Sequence, residues 1–291
     1  MEVIDKNLER ADIRYNMIII KGEIKTSKIM SCEYDENAEK WNIKFNNGKI
    51  YQYGISCIRE NDVNIWFYTK NDITIAVDSG HLNFPKIYES FDKIGINSDE
   101  IKHVFITHTD VDHCGGIDST GRNIFPNAQV YLGSQEEVYL NKSIHRIKKF
   151  GIKIKNCVQL DEGYKKLEDF EIITVGDIKV QAFHIPGHTL GHMCYIVDDF
   201  ILFSGDCLAV NDCGGYSFFD FFTQYPDMNK KSLIKLKNIV KDSNVRYVCT
   251  GHSGIRTNIE KVFKHIDKSA TFSRKHPFDE NAPWDYRNYD I

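Results

Sequence analysis

The 291-residue sequence predicts an α+β fold: one large layered domain with a small all-β appendage ahead of it. Three observations predict it. Short apolar, β-branched runs alternate with segments of helical period from residue 63 onward. Four of those runs lead directly into histidine or aspartate, at His108, His188, Asp206 and His252, so several strands end at one rim. Residues 1–61 carry strand and turn signals instead.

Composition sets the outer bounds. A 42% hydrophobic chain of this length buries one substantial core. Charge is nearly balanced, 37 basic against 41 acidic residues with a formal net charge of −4 and no basic block, so a nucleic-acid partner is not expected. No apolar run reaches eighteen residues, and the charged start, Met1 to Arg10, does not read as a secretory signal; no membrane association and a cytoplasmic location are expected. The eight cysteines, Cys32, Cys57, Cys114, Cys157, Cys194, Cys207, Cys213 and Cys249, form no CxxC pair and read as reduced and mostly buried.

In chain order, residues 17–20, 29–34, 41–45 and 49–53 read as strands, the last two flanking Asn46-Asn47-Gly48, a hairpin turn that tolerates positive φ. This appendage caps the domain, guards a site, mediates dimerisation or recognises a partner. The large domain spans residues 62–270 and opens with strands at 63–68 and 73–77 around Lys70-Asn71-Asp72. Residues 85–94 read as a helix with proline in its first turn and Ile87, Phe91 and Ile94 on one face. Strands follow at 103–107 and 129–132, then Ser134-x-x-Glu137 as a capping box. Residues 141–166, with Lys142, Arg146, Lys148, Lys149, Lys153, Lys155, Lys165 and Lys166, read as a solvated face, the alternative being a patch that steers anionic substrates. A hairpin at 170–183 turns on Val175-Gly176-Asp177. Residues 229–240 form an amphipathic helix, 245–248 a strand and 255–266 a last helix, and an extended strap begins at Thr271.

The chemistry lies at the strand exits. Val104-Phe-Ile-Thr-His108-Thr-Asp110-Val-Asp112-His113-Cys-Gly-Gly packs two imidazoles and two carboxylates into six residues. Zinc, iron or manganese is held by such donors at about 2.0–2.2 Å, which requires several of them to converge from a short segment. His184-Ile-Pro-Gly-His188-Thr-Leu-Gly-His192, Phe203-Ser-Gly-Asp206 and Cys249-Thr-Gly-His252 supply further donors. After Asp206 a glycine-containing loop carries Tyr216, Phe218, Phe219, Phe221 and Phe222, which line an apolar substrate pocket or form a core or dimer contact. His81, His103, His145, His184, His265 and His276 read as structural or exposed.

These four motifs, in this order, resemble those of the metallo-β-lactamase superfamily. The resemblance implies a four-layer αββα sandwich with two divalent metals at one edge. One metal takes His108, Asp110 and His188; the other takes Asp112, His113 and His252; Asp206 bridges them. Asp78, in Asp78-Ser79-Gly80, and His192 match positions that support the ligands. The sequence departs from the usual pattern at Asp110, where most members carry histidine. A carboxylate there hardens the site, so iron or manganese competes with zinc, and a similar variant occurs in the flavin-linked di-iron branch.

The implied activity is hydrolysis of a small-molecule ester, thioester, lactone, amide or phosphoester by metal-bound hydroxide, with Asp112 orienting it and moving the proton. Two enzymatic alternatives are an iron-dependent oxidoreductase, for which no flavin domain is visible, and a nuclease or phosphodiesterase, against which the short segments between motifs and the acidic charge argue. A degenerate site kept for binding is a third. A homodimer is compatible with the sequence.

Overall fold

A strand covered on both faces needs apolar residues on both, and Val63–Lys70 has them: Trp66 and Tyr68 face one core, Ile65 and Phe67 another. The computed structural model describes residues 54–269 except 61, 122, 150 and 212, and before them the backbone of Met17–Ile18, Ile29–Asp35, Lys40–Phe45 and the first part of Ile50–Glu60. The Asn46-Asn47-Gly48 turn and the segment from Thr271 lie outside the described residues.

Among the described residues the first sheet has nine strands, one of them Met17–Ile18, which pairs with Ile50–Glu60. Lys165–Leu167, Gln129–Gly133, His103–Phe105 and Ile73–Val77 are parallel; Val63–Lys70, Ile50–Glu60, Lys40–Phe45 and Ile29–Asp35 continue it antiparallel. Ile50–Glu60 pairs with Val63–Lys70 from Tyr53↔Lys70 to Glu60↔Val63, so strands on both sides of residue 61 belong to one sheet. The second sheet runs Ile172–Val175, Ile178–His184, Met193–Val197, Ile201–Gly205, Tyr247–Thr250, Ile255–Arg256.

The central core lies between the sheets and joins Trp66, Tyr68, Phe105 and Tyr131 to Val180, Tyr195, Phe203 and Tyr247. Outside the first sheet, the helix Ile87–Ile94 buries Ile87, Phe91 and Ile94. Outside the second, the helix Pro226–Lys241 buries Leu233, Leu236 and Val240. Each helix thus shields one outer sheet face, giving the αββα order of layers.

The topology explains why four motifs share an edge. Ile201–Gly205 and Tyr247–Thr250 pair in parallel, Gly205 beside Thr250, so both chains leave at the same end and deliver Asp206 and His252 together. Met193–Val197 runs antiparallel to Ile201–Gly205, so residues 185–192 loop over that same end. The first sheet joins there through Met193 N–H to Thr107 C=O at 2.8 Å and Asn64 N–H to Gly251 C=O at 2.8 Å. No helix among the described residues is long and apolar enough to cross a membrane.

Two local expectations are corrected. Ser134 opens no capping box: Ser134–Glu136 is a 3-10 turn with no side-chain cap, and Glu137 instead pairs with Lys166 at 2.8 Å. Residues 255–266 are not one helix but the strand Ile255–Arg256, the short helix Ile259–Val262 and the strand His265–Ser269. Extended Asn258 caps the short helix by accepting from Lys261 N–H at 3.0 Å, and His265–Ser269 then pairs with Gly214–Ser217. Val262, Phe263 and Ile266 are buried either way, which is why their spacing imitates a helical face.

Candidate metal centre

Four histidines are fixed from behind. His113 Nδ1–H donates to Asp78 Oδ2 at 2.8 Å, and His252 Nδ1–H donates to the Asp62 carbonyl at 2.7 Å. His108 Nδ1 lies 3.0 Å from Thr107 Oγ1, whose hydroxyl donates to Asp78, and His188 Nδ1 lies 3.5 Å from Thr223 Oγ1. In each ring the rear nitrogen faces an oxygen and Nε2 faces the centre, the orientation in which an imidazole ligand is held. Asp78 does double duty because it also accepts from Thr107 N–H at 2.8 Å, tying the first motif to the preceding strand. Asp78→Ala should therefore weaken zinc affinity about 10–100-fold, as read by competition with a chromogenic chelator; unchanged affinity would remove Asp78 from the centre.

The front of the site is crowded with donors. Asp206 Oδ2 lies 2.9 Å from His252 Nε2, Asp206 Oδ1 lies 3.3 Å from His113 Nε2, and the two Nε2 atoms are 3.4 Å apart. Asp112 Oδ2 completes the group at 3.6 Å from His252 Nε2 and 3.8 Å from His113 Nε2. On the other side, His188 Nε2 and His108 Nε2 lie 3.2 and 3.4 Å from Asp110 Oδ2. His108, His188 and Asp206 form one cluster of potential ligand atoms, and Asp112, His113 and His252 form another. Gly251 is required by this packing: a Cβ there would overlap Asp206 Oδ1.

Electrostatics ties the acids to the imidazoles. Burial opposes ionisation of Asp206, but His252 and His113 outweigh it and hold its carboxyl well below the usual range. Burial would likewise discharge His252, yet Asp206 and Asp112 raise its pKa to about 9. Asp206 Oδ1 and His108 Nε2 remain buried with no hydrogen bond. An unpaired buried carboxylate oxygen is costly, and a cation held with His113, His252 and Asp112 would satisfy Asp206 Oδ1. The donor set fits a divalent metal at Asp112, His113, Asp206 and His252.

Arg146 is the residue the sequence reading missed. Instead of lying on a solvated face it is 5% exposed, with Nε and Nη2 both donating to the Asp110 carboxylate and Nη2 2.9 Å from His188 Nε2. Burial disfavours the Asp110 anion and Arg146 reverses that, holding Asp110 well below the usual carboxylate range. Burial and Arg146 together push His188 down to about 3, so it is a neutral acceptor. The signal was present in Asp110 itself: a buried carboxylate where an imidazole is usual calls for a counter-cation.

Glu136 was also missed. Fully buried, it accepts from Thr109 N–H at 2.7 Å and Thr109 Oγ1–H at 2.6 Å, and from Gly191 N–H at 3.0 Å and the Thr189 hydroxyl. One carboxylate thereby clamps the first and second motif loops together. His192 Nε2 accepts from Asp206 N–H at 3.1 Å and stays neutral, its pKa depressed by burial and by His108.

The aromatic loop divides. Phe218 stacks on His252 with centroids 5.4 Å apart and meets His188 edge-on at 5.3 Å, so it walls the site, with Phe219 buried behind it. Tyr216 stacks on His265 instead. Phe221 and Phe222 are exposed, and Phe221 joins Arg146, His145, Lys149, Gln224 and Tyr225 around a cleft of about 400 Å³. Of the other histidines, His103 meets the Tyr131 hydroxyl, His184 the Leu190 carbonyl and His81 the Asp62 carboxylate. His276 lies outside the described residues. Cys57, Cys114, Cys194, Cys207 and Cys249 are buried, whereas Cys157 and Cys213 are exposed.

A family model described as the metallo-beta-lactamase superfamily matches residues 58–252. The chain is 31% identical over 115 residues to the probable polyketide biosynthesis zinc-dependent hydrolase PksB of Bacillus subtilis, covering 40% of this chain and 42% of that protein. It is 28% identical over 199 residues to the hydroxyacylglutathione hydrolase of Dictyostelium discoideum, covering 66% of this chain and 61% of that one. The chain thus spans less than two thirds of the length of these relatives. Among solved structures, a metallo-beta-lactamase family protein of Thermus thermophilus superposes with a TM-score of 0.54 at 15% identity, covering 74% of this chain and 77% of the other. A Cronobacter sakazakii enzyme with a HARLDQ motif, in a mutant form, gives 0.51 at 14% identity, covering 68% and 75%. At these identities the structural likeness concerns the fold.

Proposed function

The chain belongs to the metallo-β-lactamase superfamily, and on that basis we propose that it is a metal-dependent hydrolase of a small acyl compound, with thioesters the first class to test. The observation that carries the reading is the rear anchoring of His108, His113, His188 and His252, which turns each Nε2 toward Asp206. The names of the relatives, a zinc-dependent hydrolase and a hydroxyacylglutathione hydrolase, support both the metal and the thioester.

Zinc is the favoured cation; when bound it supplies Lewis acidity toward water and a carbonyl oxygen. Asp112, His113, Asp206 and His252 would hold it. Asp112, a quarter exposed, is the most open acid of this group, and it holds and moves the proton that passes from water to the leaving group. Asp206 keeps His113 and His252 in register, and Phe218 excludes water from one side of the His252 ring. No serine or cysteine nucleophile is needed, consistent with burial of Cys114 and Cys207, which raises both thiols well above their ordinary values.

The test is hydrolysis of a hydroxyacyl glutathione thioester, followed by released thiol, before and after chelation. The expected result is turnover lost on dialysis against chelator and restored by zinc. Equal rates in both forms, or no acyl hydrolysis by zinc-loaded protein, would overturn the reading.

A further inference from the structure

A fixed positive charge already stands where one of two cations would sit. Arg146 grips both oxygens of Asp110 and directs Nη2 at His188 Nε2, 2.9 Å away. A guanidinium has only donors, so His188 must accept with the same lone pair that a metal would need. Of the subsite formed by His108, Asp110 and His188, only His108 keeps a donor atom free of hydrogen bonds. Substituting Asp206 for Asp110 as the third ligand leaves the commitment of His188 unchanged.

The arrangement is built into the backbone. Arg146 immediately precedes the strand Ile147–Lys149, and the Lys149 ammonium is held by the Asp220 and Thr223 carbonyls. Gln224 Nε2 donates to the His145 carbonyl at 3.1 Å, and Gln224 N–H to the His188 carbonyl at 3.0 Å. The segment that delivers the guanidinium is thus sewn to the loop that carries His188. At Asp112, His113, Asp206 and His252, by contrast, no basic side chain other than the two imidazoles is within ion-pair distance of either acid except His188, 3.9 Å from Asp206, among the described residues.

We infer that Arg146 is the resident cation of the His108–Asp110–His188 subsite and limits the protein to one tightly held divalent metal, at Asp112, His113, Asp206 and His252. The aspartate that departs from the family pattern and the buried arginine are then one device: Asp110 exists to receive Arg146. This rests on the metal-dependent reading above, and a cation count separates the two, since zero bound ions would sink both and two would sink only this one.

Zinc titration of the metal-free full chain by calorimetry, with elemental analysis after desalting, gives the count. The wild type should retain one equivalent, with any second binding at least about 100-fold more weakly, the upper range for perturbed ligand environments. Arg146→Met should gain a second retained equivalent. Because that variant takes the guanidinium from a carboxylate only 19% exposed, Asp110→His/Arg146→Met, which removes the carboxylate as well, is measured beside it and should also retain two. Two tight equivalents in the wild type, or one in a folded double variant, would overturn the inference.

Discussion

Asp206→Ala should abolish metal retention and lower kcat/KM by about 10³-fold or more, since a catalytic cation contributes several kcal/mol and each 1.36 kcal/mol is tenfold. Among the described residues, Asp206 is the one acid within 4 Å of His113, His188 and His252 together, and its Oδ1 is buried without a hydrogen bond. Alanine removes the charge that keeps His252 protonated and His113 beside it, so the imidazoles lose their common partner. Far-UV circular dichroism should hardly change, because Ile201–Gly205 and Tyr247–Thr250 pair through backbone bonds that the substitution leaves alone. Full metal content together with a rate within about tenfold of wild type would remove Asp206 from the centre.

The largest effect on stability is expected away from the metal ligands. Glu136→Ala should cost about 3–5 kcal/mol, because it strands two buried backbone N–H groups and two hydroxyls that a single carboxylate now satisfies. At about 2–4 °C per kcal/mol for a domain of this size, thermal unfolding should move down by about 6–20 °C. Its neighbour provides the control: Glu137 is 41% exposed and pairs with a Lys166 that is 46% exposed, so Glu137→Ala should change stability by no more than about 0.5–1 kcal/mol. Equal melting temperatures for the two variants would show that the clamp between the motif loops carries no weight.

The contrast between adjacent glutamates shows what a sequence conveys. Within one short segment, spacing speaks directly: His108 to His113 follow an apolar strand, and Pro186 to His192 bridge two others. Helices with a single buried face, such as Pro226–Lys241, are equally plain because Leu233, Leu236 and Val240 recur at helical intervals. Contacts closed by tertiary structure leave no local mark. Glu136 meets Thr109 across 27 positions and Gly191 across 55, and Arg146 meets Asp110 across 36. Arg146 was hidden a second way, among lysines that, Lys149 apart, are exposed. At residues 255–266 the apolar period was real but ambiguous, since a short helix and a strand bury the same Val262, Phe263 and Ile266.

X-ray absorption at the zinc edge, on protein loaded with one equivalent, bears most directly on the claim that strand exits from both sheets gather a cation. The predicted result is a first shell of nitrogen and oxygen only, at about 2.0–2.1 Å, with outer-shell imidazole scattering from His113 and His252. A sulfur shell at about 2.3 Å would contradict it, since it would place the ion at His192, Cys194 and Cys207, the third cluster of potential ligands among the described residues.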